Sequence, residues 1–309
     1  MCQEKPTVCD VICPVCESHK TVCESKFRSK KPFLGCETVR GCRNCGVFFG
    51  HPIPSISELD SYYEGGLYYD IVSDPTSPDF VEFSYKISES RLRLISKKIT
   101  LNHSLKVLDL GAGSGQFGKA LKEMIPQITY HALDPDRKCY EFWDSWVDER
   151  FAYIDELLEE TYDLIIMNQV LEHVIKPIEF LNRISSLITT KGHLYIDVPN
   201  GDHRFKPSLE PHILYWSKTS LRRACEIAGF DIVFCETAGM KLQRARTYFG
   251  YSNGSNNTPH LNPWNSVERF NSILRKWGIS KGIDKFFLFQ SDKYGGDRNW
   301  IRCIVQKIN

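Results

Sequence analysis

Short apolar runs separated by polar, turn-forming stretches fill the middle of the chain, and their periods alternate between strand and helix. Val107 to Leu110 is an apolar strand that enters the loop GAGSG and then a helix stopped by Pro126; ITYHALDPD follows as a second strand. Asp163 to Met167 reads as a buried third strand with Asn168 at its carboxyl end. PIEFLNRISSLITTKG then sets Ile178, Leu181, Ile184 and Ile188 on one helical face, and HLYIDVPNGD reads as the next strand. Ser217 caps a helix whose inner stripe is Leu221, Ala224, Cys225 and Ala228, and Gly229 stops it. Upstream, Ser55 with Glu58 fits a capping box that opens a short helix at ISELDSYY, and a charged amphipathic run continues to about residue 100. Beyond residue 240 the chain turns polar, then offers a helix, VERFNSILRKWG, and a last strand in WIRCIVQKI. This alternation predicts an α/β fold with a doubly wound, mostly parallel sheet, interrupted around 241–295 by an insertion that covers the acceptor side.

Composition adds size and compartment. With 309 residues, 42% of them hydrophobic, the chain has room for one sizeable core and an accessory module. No run approaches the length of a membrane span, and the opening MCQEKPTVCD lacks a basic-then-apolar export signal, which predicts a cytoplasmic protein. The net charge of +1 conceals an asymmetry: Lys+Arg against Asp+Glu is 8 to 5 over residues 1–50, 19 to 29 over 51–240 and 12 to 4 over 241–309. A basic tail is either solvated surface or a field for an anionic acceptor such as a nucleotide-linked sugar, with Arg244, Arg246, Lys281 and Lys285 available for phosphate. KFRSKK at Lys26 to Lys31 favours RNA, whereas the near-neutral total and the lack of interleaved aromatic platforms disfavour a nucleic-acid partner. No sequence feature specifies an oligomeric state.

Eight of the 12 cysteines precede residue 46. Without an export signal, metal binding is the better reading than disulfides. Cys13 and Cys16, then Cys42 and Cys45, form C-x2-C-x25-C-x2-C, two knuckles able to hold one structural Zn²⁺ with no open coordination position. Cys9, Cys23 and Cys36 are spare, and Cys36 is the alternative ligand. The expected division is a zinc-binding module over 1–60, a helical linker and lid over 61–100, and the α/β domain over 101–309.

The glycine loop decides the cofactor. A dinucleotide fingerprint needs glycine where Gln116 stands; here the glycines are Gly111, Gly113 and Gly115, and Asp109 at the strand end would repel a pyrophosphate while helping to hold an amino group. Asp134, nineteen residues after Gly115 and followed by Pro135, can accept ribose hydroxyls. Together with EHV after the strand ending at Asn168, these residues resemble the class I S-adenosylmethionine-dependent methyltransferases over roughly 105–240. The resemblance implies their seven-stranded Rossmann-like sheet, with S-adenosyl-L-methionine held by the glycine loop, Gln116, Asp134, Pro135 and Asn168. CRNCGVFFGHPIPSISELDSYY and EPHILYWSKTSLRRACEIAGF are similar to a zinc-knuckle subgroup that methylates sugars, often nucleotide-linked, at carbon or oxygen.

A sulfonium methyl is already activated, so the protein must position a nucleophile, exclude water and remove a proton. His212, with Glu210 close enough to orient it, is the first candidate base, and His173 the second; either is otherwise a packed loop histidine. Tyr62 and Tyr63 either pack or reach cofactor or acceptor, and Arg244 is a candidate acceptor contact. Asn168 is not followed by the Pro-Pro-aromatic of amino-methylating nucleic-acid enzymes, and no cysteine ends the fourth or fifth strand as cytosine C5 chemistry requires. The expected activity is methyl transfer to a sugar or sugar conjugate. The alternatives are an RNA methyltransferase gripping RNA with its zinc module and a binding protein without turnover.

Overall fold

The structure, a computed structural model, describes residues 11–29, 32, 34–64, 78–143, 146–157, 160–206, 208–242 and 291–308. The N-terminal part supplies strands β1 (Thr21–Lys26), β2 (Thr38–Cys42) and β3 (Phe48–His51), followed by helices α1 (Ile56–Glu64) and α2 (Pro78–Lys98). The reciprocal bonds between Ser55 and Glu58 that open α1 are present, with Ser55 N donating to Glu58 Oε2 at 2.7 Å and Glu58 N to Ser55 Oγ at 3.3 Å. Next come β4 (Lys106–Leu110), α3 (Gln116–Met124), β5 (Thr129–Leu133), β6 (Glu149–Phe151) and β7 (Tyr162–Asn168). The chain continues through α4 (Pro177–Ser186), β8 (Ile188–Pro199), β9 (Leu214–Tyr215), α5 (Lys218–Ile227), β10 (Phe230–Lys241) and β11 (Arg298–Lys307).

Seven of these strands form one sheet in the order β10-β11-β8-β7-β4-β5-β6. The pairs from β8 through β6 are parallel, and β11 runs antiparallel to both β8 and β10. The sheet is therefore doubly wound and mostly parallel, and the strand order reverses at β4, which lies between β5 and β7. Ligands of such sheets bind at the carboxyl edge beside that reversal.

Period-2 alternation decides what covers each face. Leu108, Leu110, Ile165, Met167 and Ile196 face α4 and α5, while Val107, Leu164, Ile166 and Tyr195 face α2 and α3. Asp109 shares the second face with its neighbour Val107, the only polar side chain of β4's inner positions there. The helical stripe expected at Ile178, Leu181, Ile184 and Ile188 ends earlier than its spacing implies. α4 stops at Ser186, and Ile188 pairs with Tyr162 as the first residue of β8. Ile188 and the two threonines after it favour extended backbone, and sheet pairing outweighs the continuing helical period.

The four knuckle cysteines converge. Their Sγ atoms lie within 4.8 Å of one another, with Cys13–Cys45 and Cys16–Cys42 each at 3.6 Å. A hydrogen bond from Cys45 lowers the Cys13 thiol to about 5, so a thiolate is within reach at neutral pH. Cys36 lies outside the set: its thiol donates to Pro52 O at 3.3 Å, and burial together with Glu210 and Glu58 pushes it up to about 12. The cysteine-bearing strands do not stand apart from the α/β domain. β9 completes their sheet in the order β1-β2-β3-β9, and Gly50 N donates to Ile213 O at 2.8 Å. Cys13, Cys42, Cys45 and Val47 join the same apolar cluster as Leu214, Trp216 and Leu221.

The expected insertion falls mostly on 243–290 and, with its helix VERFNSILRKWG and Arg244, Arg246, Lys281 and Lys285, lies outside the described residues. Among the described residues no helix is long and apolar enough to cross a membrane.

Four thiolates at this spacing suit one tetrahedral Zn²⁺. Elemental analysis is expected to find one zinc per chain, and chelation to raise amide exchange across 21–51 and 213–216 while 106–110 and 162–168 stay protected. Equal loss of protection in both regions would contradict the local role assigned to this cluster.

Candidate active site

The loop after β4 turns sharply because Gly111 takes φ +69°, and its N–H and that of Ala112 both donate to Leu133 O, at 2.8 and 3.1 Å. A Cβ at Gly111 would lie 2.6 Å from Val170 Cγ2, so the residue serves a close approach as well as the turn. Gly113 N donates to Asp134 Oδ2 at 2.9 Å, and Asp136 N to Asp134 Oδ1 at 3.0 Å. Asp134 thus braces the loop, while burial raises its carboxyl to about 6 against those two bonds. Gly115 precedes α3 and faces Trp143 and Trp146.

Between this loop and α2 lies a cavity of about 300 Å³. Five of the eight predicted cofactor residues line it: Asp109, Gly111, Gly113, Gln116 and Asn168. Gly115, Asp134 and Pro135 do not, although Asp134 reaches the cavity wall through Gly113. Three oxygens around the space, Asp109 Oδ1, Gln116 Oε1 and Asn168 Oδ1, are buried without a hydrogen-bond partner. Buried acceptors without donors are costly, and here they surround room for a ligand. Burial raises Asp109 to about 7, opposed by the Tyr130 hydroxyl donating to its Oδ2 at 2.7 Å and by Arg91 nearby.

Tyr130 reaches Asp109 because α3 carries glycine where it crosses β5. A Cβ on Gly118 would sit 2.2 Å from Tyr130 Cζ and 2.4 Å from its hydroxyl oxygen. Gly118 thus admits the tyrosine ring beneath the helix.

The opposite wall belongs to residues that motif reading passed over. Phe80, Phe83 and Arg91 of α2, Gln169 after β7 and Trp300 of β11 all line the cavity. Arg91 Nε donates to Asp197 Oδ2 at 2.9 Å, and Arg302 Nε to the same oxygen at 3.1 Å. Only the polar residues of the amphipathic run upstream of β4 hinted at Arg91; nothing local in sequence pointed to Asp197.

The candidate bases form a second, adjoining group. His173 ends a short turn, Leu171–His173, that follows Gln169 closely, and Ile213 N ties the two loops by donating to Glu172 O at 2.9 Å. His173 and His212 stack edge to face at 4.8 Å, and neither lines the cavity. The carboxylate on His212 is Asp202, 2.6 Å from Nδ1, rather than Glu210. Glu210 instead accepts from Ser29 Oγ at 2.7 Å and Leu34 N at 3.2 Å, fastening the N-terminal segment. Burial opposes ionisation of Asp202, but Lys206 and His212 more than offset it and hold the carboxyl well below its usual range. Burial and Lys206 lower His212 and keep it neutral against the pull of Asp202. Glu172, fully buried with both oxygens unpartnered, is raised by burial to about 8. Glu172, His173 and His212 offer ligand atoms within 4.8 Å of one another. Tyr62 packs against Leu34, Leu59 and Ile213, away from the cavity. The side chain of Tyr63, and Arg244, lie outside the described residues.

Residues 81–234 match the family described as "Methyltransferase domain". Among curated proteins, the ubiquinone biosynthesis O-methyltransferase of Xanthomonas campestris pv. campestris (strain B100) is 22% identical over 176 residues, 47% of this chain and 73% of its own length. That of Actinobacillus pleuropneumoniae serotype 7 is 24% identical over 175 residues, 45% of this chain and 75% of its own. Among solved structures, a SAM dependent methyltransferase from Archaeoglobus fulgidus is 18% identical, covers 72% of this chain and 94% of that chain, and has a TM-score of 0.47.

Gly118→Ala is expected to lower stability by about 1–3 kcal/mol in urea unfolding, because the added methyl overpacks the Tyr130 contact. An unchanged midpoint would show that α3 moves off the sheet without cost.

Proposed function

We propose, from the premise that residues 81–234 are a class I S-adenosylmethionine-dependent methyltransferase domain, that this enzyme methylates a hydroxyl of a small polar acceptor, a sugar or nucleotide-linked sugar. The observation that carries the cofactor half is the set of unpartnered acceptors at Asp109, Gln116 and Asn168. These oxygens suit a ligand that brings N–H donors and positive charge. A cofactor with an ammonium and a sulfonium is such a ligand, whereas a pyrophosphate would be repelled. When bound, it supplies a methyl group already activated for transfer.

The chain's own residues then position, shield and deprotonate. Phe80, Phe83 and Trp300 give the cavity apolar walls that exclude water. His212 Nδ1–H donates to Asp202, and Lys206 Nζ lies 3.2 Å from Nε2, so His212 takes the acceptor's proton at Nε2 once the acceptor displaces Lys206 from that nitrogen. Burial and Lys206 keep the ring neutral at neutral pH, the form that can accept a proton. The relatives' printed name, an O-methyltransferase, supports transfer to oxygen over carbon. RNA is the weaker reading, because Arg28 of the basic KFRSKK stretch is committed to the carbonyls of His203 and Lys206. Methyl transfer from labelled cofactor to nucleotide-linked sugars, dihydroxybenzoates and mixed RNA tests the acceptor. Turnover of phenols or RNA without turnover of any sugar would replace the sugar reading.

His212→Ala and Asp202→Asn are each expected to lower kcat by about 10²–10⁴-fold while leaving the cofactor Kd within about twofold. A matching loss of cofactor binding would make the pair structural rather than catalytic.

Cofactor affinity is expected to depend on pH through Asp109. Because its carboxyl is raised to about 7, it is neutral below that pH and charged above it. Affinity for a cationic amino group therefore rises with pH, by about tenfold per unit on the acid side, and levels off near 7. It falls again above about 8 as the cofactor's own amino group deprotonates. Calorimetry should find a proton released on binding below pH 7, and Asp109→Asn should flatten the acid limb.

A further inference from the structure

On the α2 side of the cavity a buried charge cluster takes no part in the chemistry above. Asp197, at the end of β8, is fully buried. Its Oδ2 accepts from Arg91 and Arg302, and its Oδ1 from Gln169 Nε2 at 2.9 Å. Arg302 is itself fully buried, paired in register with Asp197 across β11 and β8, and its Nη2 has no partner among the described residues. Its Nη1 donates to the neutral hydroxyls of Ser90 at 2.9 Å and Tyr294 at 3.0 Å. Asp292, half-exposed, is engaged by Ser90 and Arg93. Two guanidiniums against one carboxylate leave one surplus positive charge in a dry wall.

Gln169 adds a second sign of a built site. It holds φ +57°, a left-handed conformation that costs energy in a residue with a Cβ. Three bonds to the same residue hold it there: Gln169 N and Nε2 donate to Asp197 O at 2.8 and 3.2 Å, and Nε2 to Asp197 Oδ1. Arg91 and Gln169 both line the cavity, as does Asp109, whose carboxyl Arg91 is near enough to lower. The cavity therefore presents a guanidinium and a carboxylate on the same lining, a pair that can receive a zwitterion.

We propose that Asp197 is a positioning residue for the carboxylate at the amino-acid end of the cofactor, acting through Arg91 and Gln169, with Arg302 as the counter-charge that leaves Arg91 in surplus. The inference rests on the cofactor reading above. Without Arg302, the charge of Arg91 would be neutralised by Asp197 and little attraction would remain for an incoming carboxylate. Without Asp197, both guanidiniums would stay charged but neither Arg91 nor the strained Gln169 would be held in place.

The test compares S-adenosylmethionine with its decarboxylated form, which keeps the adenosine, sulfonium and amine, by calorimetry on the full chain. The wild type is expected to prefer the carboxylate-bearing ligand by about tenfold or more. In Asp197→Asn and Arg302→Met that preference should shrink to about twofold, through weaker binding of the carboxylate form alone. Arg302→Met leaves Asp197 and Arg91 as a neutral pair and is the variant expected to fold if Asp197→Asn does not. A merely structural role would weaken both ligands together. An undiminished preference in the folded variants, or none in the wild type, would overturn the inference while the cofactor reading stands. No binding of either ligand to the wild type would overturn both.

Discussion

A carboxylate withdrawn from water at the end of a strand must be met by a donor or a cation, and the architecture of this protein is organised around four of them. Asp109 closes β4, Asp197 lies near the end of β8, and Glu172 and Asp202 follow β7 and β8 by a few residues. All four are buried. Asp202 is compensated by Lys206 and His212 and stays ionised. Asp197 has two guanidiniums. Asp109 has one phenol, and the Glu172 oxygens have no hydrogen-bond partner among the described residues, with His173 and His212 no nearer than 3.9 Å, so burial raises both. The under-compensated acids mark where the fold leaves work for a ligand or a proton.

That arrangement needs three distant parts of the chain. α2 brings Arg91 to the sheet edge, β11 brings Arg302 back beside β8, and the loop after β8 folds over the turn that carries Glu172. The last of these is held from outside the α/β layer. Glu210 accepts from Ser29 and Leu34, Arg28 reaches the carbonyls of His203 and Lys206, and β9 adds to the edge of β3. His212 lies in the stretch these contacts enclose, so the cysteine-held strands bear on where its ring sits.

The fold was legible in the sequence because its signals are local. The apolar run into GAGSG, the capping serines and the final WIRCIVQKI each announce an element within a dozen residues. Ile188 misled because its position fits a helical stripe, while the competing interaction, a pairing with Tyr162, is remote in sequence. The site divides the same way. The loop glycines and Asn168 stand out from spacing alone, but Asp197 acquires its meaning from Arg91 and Arg302, 106 and 105 residues away. Glu210 is the acid nearest His212 along the chain, but folding back of the loop brings Asp202 to the imidazole instead. Gly118 was unreadable for a related reason, since only a structure shows a tyrosine of the next strand lying beneath it.

The two-residue strand β9 bears on how this architecture can be rearranged. A leader that borrows part of its sheet from a loop some 160 residues downstream is contiguous in the gene but not in space. Grafting another leader onto the catalytic layer would leave β3 facing a mismatched edge unless the loop travelled with it. The recombination unit is thus a pair of segments, and shuffling between such proteins succeeds only where both are inherited together.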